Sequence, residues 1–452
     1  MKYRLGDFTV KNWNSWDSVP RMPQAVAAGI TGFASYGAAA AAGSALAYAA
    51  VYVGASIAIG AVTSWAVNAL MPQPDVSTSN SSGLQVNTRE PAAAAQFVYG
   101  EVRKGGIITY YESTGTDNEW LHQIIVLAVH EVNAIGDIYI NDKVATFSGN
   151  TVTTAEDPDP DSSASDNWDS KIYIRKFTGA SGQNIKYTLD AALTNHPTLA
   201  SNFRGDGIAC LYVRYRYDAD VFANGLPLIT AVVQGKKVYD PRSDTISYSN
   251  NSALCIRDFL TSDYGMNEAE SNIDDTMFSA AANECDESIN LGTDPITTEN
   301  RYTTNGVISS ATPRGQVFQE LVTSCAGTLF WGMGSWKLKV GAYSASVKSL
   351  GLDDLRGPIN LSTRVSMADN FNTVRGTFND AENGWTTADY PEQSAAVYIA
   401  EDGGETVPLD LELPFTTSGA TAQRLAKLTL NRSREQMTFS ADFGLSAFDV
   451  EV

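Results

Sequence analysis

Histidine is almost missing from this chain of 452 residues: His122, His130 and His196 are the whole supply. That leaves little imidazole for a zinc centre or a Ser-His-Asp triad. Cysteine is nearly as scarce. Cys210, Cys255, Cys285 and Cys325 are dispersed, with no C-x-x-C pair and no disulfide-rich pattern, and their neighbourhoods predict buried thiols. Charged residues make up only 18% of the chain, against ~25% in a typical soluble domain, so the surface relies on Ser, Thr, Asn and Gly. Positive charge is the larger deficit: Lys and Arg number 31 against 51 Asp and Glu, for a net −20. Gripping a phosphate backbone needs clustered Lys and Arg. The balance argues against a sequence-reading transcription factor or a nuclease, and leaves a channel that DNA slides through without sticking compatible.

Catalytic motifs are absent as well. Nothing fits G-x-S-x-G. G-x-G-x-x-G fails twice, since Gly205 and Gly207 lead to Cys210, and Gly332 and Gly334 lead to Lys337. Gly235-Lys236 lacks the flanks of a phosphate loop, and His130-Glu131 runs into Val-Asn-Ala rather than completing H-E-x-x-H. Asp157-Pro-Asp-Pro-Asp161 resembles a calcium loop only at its start, because Ser162 and Trp168 stand where an EF-hand needs Gly and Glu. A solvated loop is the better reading. Asp353-Asp354 and Glu412 read as surface carboxylates rather than a glycosidase pair. No catalytic, cofactor-binding or metal-ligating residue is assigned, and the expectation is a protein that is not an enzyme.

What the chain does have is a long uncharged tract. No charge falls between Met22 and Pro74, and Ala25 to Met71 is built of Ala and Gly with scattered Val, Ile, Leu, Tyr and Trp. It exceeds the ~20 residues that cross a bilayer once. Gly54-x-x-x-Ala58 allows close helix approach. Three readings stand: a membrane hairpin, a helical bundle buried among copies in an oligomer, or a low-complexity arm. It is no simple secretory signal, given its length and the Asp7 and Asp17 before it.

At ~150 residues per domain the length suggests about three domains, and the pattern along the chain is α+β and multidomain. Residues 1–24 form an arm, 25–71 the apolar Ala/Gly-rich helical segment, and 72–87 a linker. Residues 88–245 read as mostly β, with strands at Leu121–Val132, Ile135–Ile140, Lys171–Phe177, Ile208–Tyr217 and Leu228–Tyr239, and an acidic loop over 148–170. In Leu121–Val132, even spacing puts His122 and His130 on one face, too far apart to share a metal. Residues 246–347 read as a mixed α/β domain. Its helices are Ser252–Leu260, Ile273–Cys285 and one after Pro313, and its hairpin crosses Gly332-Met-Gly. Residues 348–452 read as a second β-rich domain, with a helix over Ala420–Arg434 and a strand alternating Met437, Phe439, Ala441 and Phe443.

Several segments, in order, resemble the tip attachment protein J family of lambda-type long-tailed bacteriophages. They are Val98-Tyr-Gly-Glu-Val-Arg-Lys-Gly-Gly with Leu121 to Tyr139; Gly235-Lys-Lys-Val-Tyr-Asp-Pro-Arg with Asn251 to Thr261 and Tyr264-Gly-Met; Glu284-Cys-Asp-Glu-Ser with Arg301-Tyr-Thr-Thr-Asn-Gly, the Pro313 helix and Trp331-Gly-Met-Gly-Ser-Trp; and Asn370-Phe-Asn-Thr-Val-Arg-Gly-Thr-Phe with Gly384-Trp385, Leu413-Pro-Phe and Ala422 to Lys427. Together they span roughly residues 96–450. The resemblance implies β-barrel-rich hub domains in a homotrimer at the distal end of a phage tail. Such a hub closes the tail tube, contacts other distal tail proteins and the tape-measure protein, and opens for DNA ejection. Three copies offer a home for residues 25–71 near the threefold axis, with possible later contact to a host membrane. The family continues further, so Met437–Val452 reads as an unfinished β unit, with host binding expected beyond it or on partner proteins. The rivals are a membrane-anchored β-rich surface protein and a tail-associated cell-wall hydrolase.

Overall fold

The structure is a computed structural model that describes residues 85–89, 93–158, 165–292, 297–346, 348–363, 370–435, 437–444 and 447. The arm 1–24, the apolar segment 25–71 and all but the last residues of the linker lie outside the described residues. What is described is mixed and strand-rich, with one large sheet curled into a half-barrel.

The strands leading into the sheet are β1 (Gln96–Tyr99), β2 (Glu101–Lys104), β3 (Ile107–Thr114), β4 (Trp120–Ala128), β5 (Ala134–Ile140) and β6 (Lys143–Ser148). Then come β7 (Thr151–Glu156), β8 (Ser165–Asn167), β9 (Ile172–Phe177), helix α1 (Ile185–Ala192), β10 (Ala209–Arg216) and β11 (Ile229–Gln234). They pair in the order β2-β11-β5-β6-β7-β9-β10-β4-β3, with β8 added on β7. The order explains the curl. β2 and β3 hold opposite edges of the sheet, yet only Gly105 and Gly106 separate them. Three Cα steps of ~3.8 Å reach no further than ~11 Å, so the sheet must bend until its edges meet at that corner. Both positions need glycine for close approach: a Cβ on Gly105 would lie 2.4 Å from the Val86 carbonyl oxygen, and one on Gly106 2.4 Å from that of Val126.

Alternation along the strands sorts two cores. Ile125, Leu127, Leu211, Val213 and Tyr215 point inward with Ile138, Ile140, Ile172 and Ile174. Ile124, Cys210 and Tyr212 point outward and are covered by Ile185 and Leu189 of α1. Among the described residues, the inner face of the half-barrel is therefore packed with side chains.

Three expectations need correcting here. The predicted strand Leu121–Val132 ends at Ala128, because the backbone beyond changes partners: the Val129 N–H donates to the Gln96 carbonyl and the Val132 N–H to that of Thr178. His130 is thus off the strand and shares no face with His122. The loop assigned to 148–170 is partly sheet, since the β-branched run Thr151–Thr154 pairs with β6 across a Gly149 turn; residues 159–164 lie outside the described ones. Helix α1, capped by the Asn184 side chain on the Tyr187 N–H at 3.0 Å, stands in a region expected to be β.

The chain then forms the hairpin β12 (Lys237–Asp240) and β13 (Thr245–Tyr248), helices α2 (Ser252–Thr261) and α3 (Asp275–Cys285), and the pair β14 (Ser288–Asn290) and β15 (Thr298–Asn300). Strand β16 (Gly306–Ser309) returns to pair with β1. Helix α4 (Arg314–Thr323) follows Pro313, where a missing N–H leaves no bond unmade. The hairpin β17 (Thr328–Gly332) and β18 (Ser335–Lys339) turns through Met333 and Gly334 at φ 50° and 90°, the double positive φ of a type I′ turn. Asn251 and Asp274 cap α2 and α3.

Residues beyond 348 contain no barrel among those described. They give β19 (Leu355–Ser362), β20 (Thr373–Arg375), β21 (Thr377–Asp380), β22 (Thr386–Asp389), β23 (Gln393–Ser394), α5 (Ala396–Glu401), β24 (Pro408–Asp410), α6 (Gly419–Ser433) and β25 (Thr438–Phe443). These make two two-stranded sheets and one of three strands. Helix α6 begins at Ser418, whose hydroxyl accepts the Thr421 N–H at 3.2 Å. Leu254, Phe259, Phe278, Phe318 and Trp336 share one core with Val374, Phe378, Leu413, Leu425 and Leu430. Cys255, Cys285 and Cys325 belong to it, and all four cysteines are buried and free. Burial pushes the Cys210 and Cys285 thiols up to about 12, which leaves them without nucleophilic character at neutral pH.

Candidate functional site

The place where the half-barrel meets the rest of the chain carries a cluster of part-buried polar side chains. Strand β1 pairs with β16 on one side, then Gly100 turns the chain into β2 of the barrel. Opposite it, Gly235 leads from β11 into β12. The two crossings are laced together: the Gly235 N–H donates to the Gly100 carbonyl at 2.7 Å, and the Lys236 N–H to the Val98 carbonyl at 2.8 Å. Contact is so close that a Cβ on Gly235 would lie 2.2 Å from the Val98 oxygen.

Asp258 of α2 sits at the centre. Its carboxylate accepts from the Tyr99 hydroxyl, from Lys236 Nζ at 2.9 and 3.0 Å, from Tyr264 at 3.0 Å and from Ser262 at 3.2 Å. The Tyr99 and Tyr264 oxygens lie 2.6 Å apart, and since each hydroxyl carries one hydrogen, Tyr264 donates either to Tyr99 or to Asp258. Burial raises both phenols well above their ordinary range, with Asp258 adding to the effect, so they stay protonated as donors. Phe97 stacks on Tyr264 at 3.9 Å between centroids, and its ring runs parallel to that of His130 at 6.0 Å. Phe97, Val129, His130, Lys236, Asp263 and Tyr264 line an open cleft of about 480 Å³. Lys104 of β2 is fully buried, its ammonium on the Gln96 side chain and the Leu127 carbonyl. Burial lowers its pKa to about 7.

This cluster clamps the two crossings to α2. Asp258 is ringed by four donor groups, one of them the Lys236 ammonium with which it forms an ion pair at 2.9 Å. Among the described residues, no three His, Cys, Asp or Glu side chains are grouped to hold a metal. His122 lies elsewhere, buried on the outer face of β4, with Nδ1 2.6 Å from the Tyr212 hydroxyl and Nε2 2.6 Å from that of Thr114. Asp354 accepts the Gly351 N–H at 2.8 Å and caps a short turn.

The fold has a counterpart of known context. A solved structure described as the virion of the native gene transfer agent (GTA) particle contains a chain similar to this one, with a TM-score of 0.53 and 12% identity, covering 88% of this chain and 85% of that one. At that identity the similarity shows a shared fold. No family model and no curated protein matches the sequence.

The shared fold makes the junction's sequence origin worth stating. Tyr99, Gly100, Gly235, Lys236, Asp258 and Tyr264 were not legible as a site from spacing, since they lie in four separate segments. They do fall inside the segments that carry the family resemblance, and the structure brings those segments together. Arg301-Tyr-Thr-Thr-Asn-Gly joins them: Asn305 Oδ1 accepts the Glu101 N–H at 2.9 Å, and its N–H donates to the Phe415 carbonyl of Leu413-Pro-Phe.

His122 sets an acid limit on this fold. Burial lowers its pKa to about 4, with Arg214 contributing, below the ~6.5 of a free imidazole. As pH falls through ~6.5 the unfolded chain takes up a proton that the folded chain refuses until about pH 4, so stability drops across that window. Melting temperature measured against pH is expected to fall there, and His122→Gln to make the slope shallower. An identical slope in the variant would remove His122 from the account.

Proposed function

We propose that the chain is a structural subunit of a phage-like virion, a hub at the distal end of a tail that closes the tube and frames the exit for DNA, acting without catalysis of its own. The observation that carries this reading is the similarity of fold over most of both chains to a chain of the gene transfer agent virion. The ordered family resemblance, whose segments meet at one junction, supports the finer assignment to a tail tip. Three copies around an axis are part of it. The packed inner face of the half-barrel suits a DNA path between copies and not through one. A net charge of −20 suits a wall that DNA must leave easily. Other distal tail proteins and the tape-measure protein are the expected neighbours, and residues 25–71 are the part offered to the axis or to a host membrane.

Mass and stoichiometry of the purified particle, with a reconstruction of its tail end, test this directly. Three copies in a ring at the tail tip are expected. A monomer that requires detergent, a dimer, or a location away from the tail would overturn it.

A further inference from the structure

His130 does something in the junction that the clamp reading leaves unused. Its Nε2 accepts the Val98 N–H at 2.9 Å, while its Nδ1 lies 2.8 Å from the Glu131 carbonyl oxygen. A donor aimed at Nε2 requires a lone pair there, and a carbonyl at Nδ1 requires a proton there. The ring is therefore the neutral tautomer protonated at Nδ1. An imidazolium has no acceptor, so a second proton would set two N–H groups against each other 2.9 Å apart.

We propose that His130 is an acid-operated latch between the half-barrel and the α-helical part of the chain: its protonation releases the Val98 amide and loosens strand β1. This inference does not depend on the proposed function.

The neighbours make the latch one-directional. Lys236 at the crossing and Lys104 on β2 both oppose a positive ring, whereas Asp258 on α2 favours one. Asp263 lines the same cleft, and the Glu131 carboxylate is engaged by Lys237 at 2.9 Å. Burial lowers the His130 pKa, Lys236 and Lys104 lower it further, and the Glu131 carbonyl and Asp258 pull the other way. The ring borders the open cleft, so a proton can reach it. Once the amide is free, β1 loses one of its anchors to the half-barrel and α2. Those that remain include the Val98 carbonyl to the Lys236 N–H, the Gln96 carbonyl to the Val129 N–H, the Gln96 side chain on Lys104, the Tyr99 hydroxyl on Asp258, and the Phe97 ring between His130 and Tyr264. The open state binds a proton as pH falls below ~6.5 and the closed state does not, so acid shifts the balance towards opening.

Hydrogen exchange on the full chain between about pH 7.5 and about pH 5, corrected for intrinsic exchange, is the test. Peptides covering β1 are expected to exchange ~10-fold faster at the acid end, while β5 to β7 hold. His130→Gln offers Val98 an acceptor that does not titrate and is expected to flatten the response. Lys104→Met, which removes the group titrating near pH 7, is expected to keep it. With only three histidines in the chain, the ring resonances of the unaltered protein give a second measure, and His130 protonation should coincide with the loss of β1 protection. Unchanged β1 protection across the range, or the same loss in His130→Gln, overturns the latch.

Discussion

Gly100→Ala is expected to destabilise the protein by ~3 kcal/mol or more, from a left-handed penalty of about 1–2 kcal/mol and an overpacking penalty of about 1–3. Gly100 sits at φ 62°, where an L side chain is strained, and an added Cβ would fall 2.1 Å from the Thr304 carbonyl oxygen and 2.3 Å from Asn305 Oδ1. Neither neighbour can retreat without loss. Asn305 Oδ1 holds the Glu101 N–H, and the Thr304 hydroxyl is buried among Ser252 and Ser324. Gly149→Ala is the matched control: its φ is 65° and nothing lies within 4 Å of its Cβ position, so it should lose only the left-handed term of about 1–2 kcal/mol. Chemical denaturation of the two variants separates strain from collision. Equal losses would mean that the close packing of β1 against residues 304 and 305 contributes nothing, and with it the tight junction described here.

How much of this was legible in the sequence depends on what each feature rests on. Local signals did well. The stripe over Ser252–Leu260, the Pro313 start and the Gly332-Met-Gly turn each reflect chemistry within a few residues, and each element stands within a residue or two of its reading. The strand readings failed where pairing decides. Leu121–Val132 is apolar throughout, but the ladder stops at Ala128 because Val129 and Val132 bond elsewhere. Thr151–Glu156 looked like loop because Asp and Ser follow it, and it is a strand because β6 is folded back beside it. Topology was out of reach for the same reason. Nothing in Lys104-Gly-Gly-Ile107 announces that it joins the two edges of one sheet. The junction was hidden most deeply, since Asp258 meets Tyr99 across 159 residues of sequence. Only the resemblance marked those segments, and it did so without saying that they touch.

The second large effect is expected at Asp402, just past α5. Its carboxylate faces Arg434, just past α6, with Nη2 at 2.5 Å and Nη1 at 3.1 Å, one nitrogen to each oxygen. Asn370 and Asn372 donate to the same oxygens at 3.0 and 2.9 Å, so one carboxylate ties three stretches of chain together. The pair is largely shielded, with side-chain exposures of 9% for Arg434 and 11% for Asp402. Among the described residues, the Arg434 Nε is buried without a partner, and the guanidinium also lies over the Tyr398 ring at 4.7 Å. Asp402→Ala therefore strands a buried charge and should destabilise by ~3–5 kcal/mol. Adding Arg434→Met should recover a large part of that loss, because the double variant buries no unpaired ion. Acid should act through the same contact. The Arg434 hydrogen bonds hold the Asp402 pKa down at about 2, below the ~3.9 of a free Asp. Its contribution is complete above ~4 and is lost as pH falls towards 2, since the unfolded chain takes up the proton first. Asp402→Asn should show a shallower decline over that range, at a lower starting stability. Were the double variant no better than Asp402→Ala, the loss would lie in the Asn370 and Asn372 hydrogen bonds, and the carboxylate would act as a hub for amides rather than as the partner of Arg434.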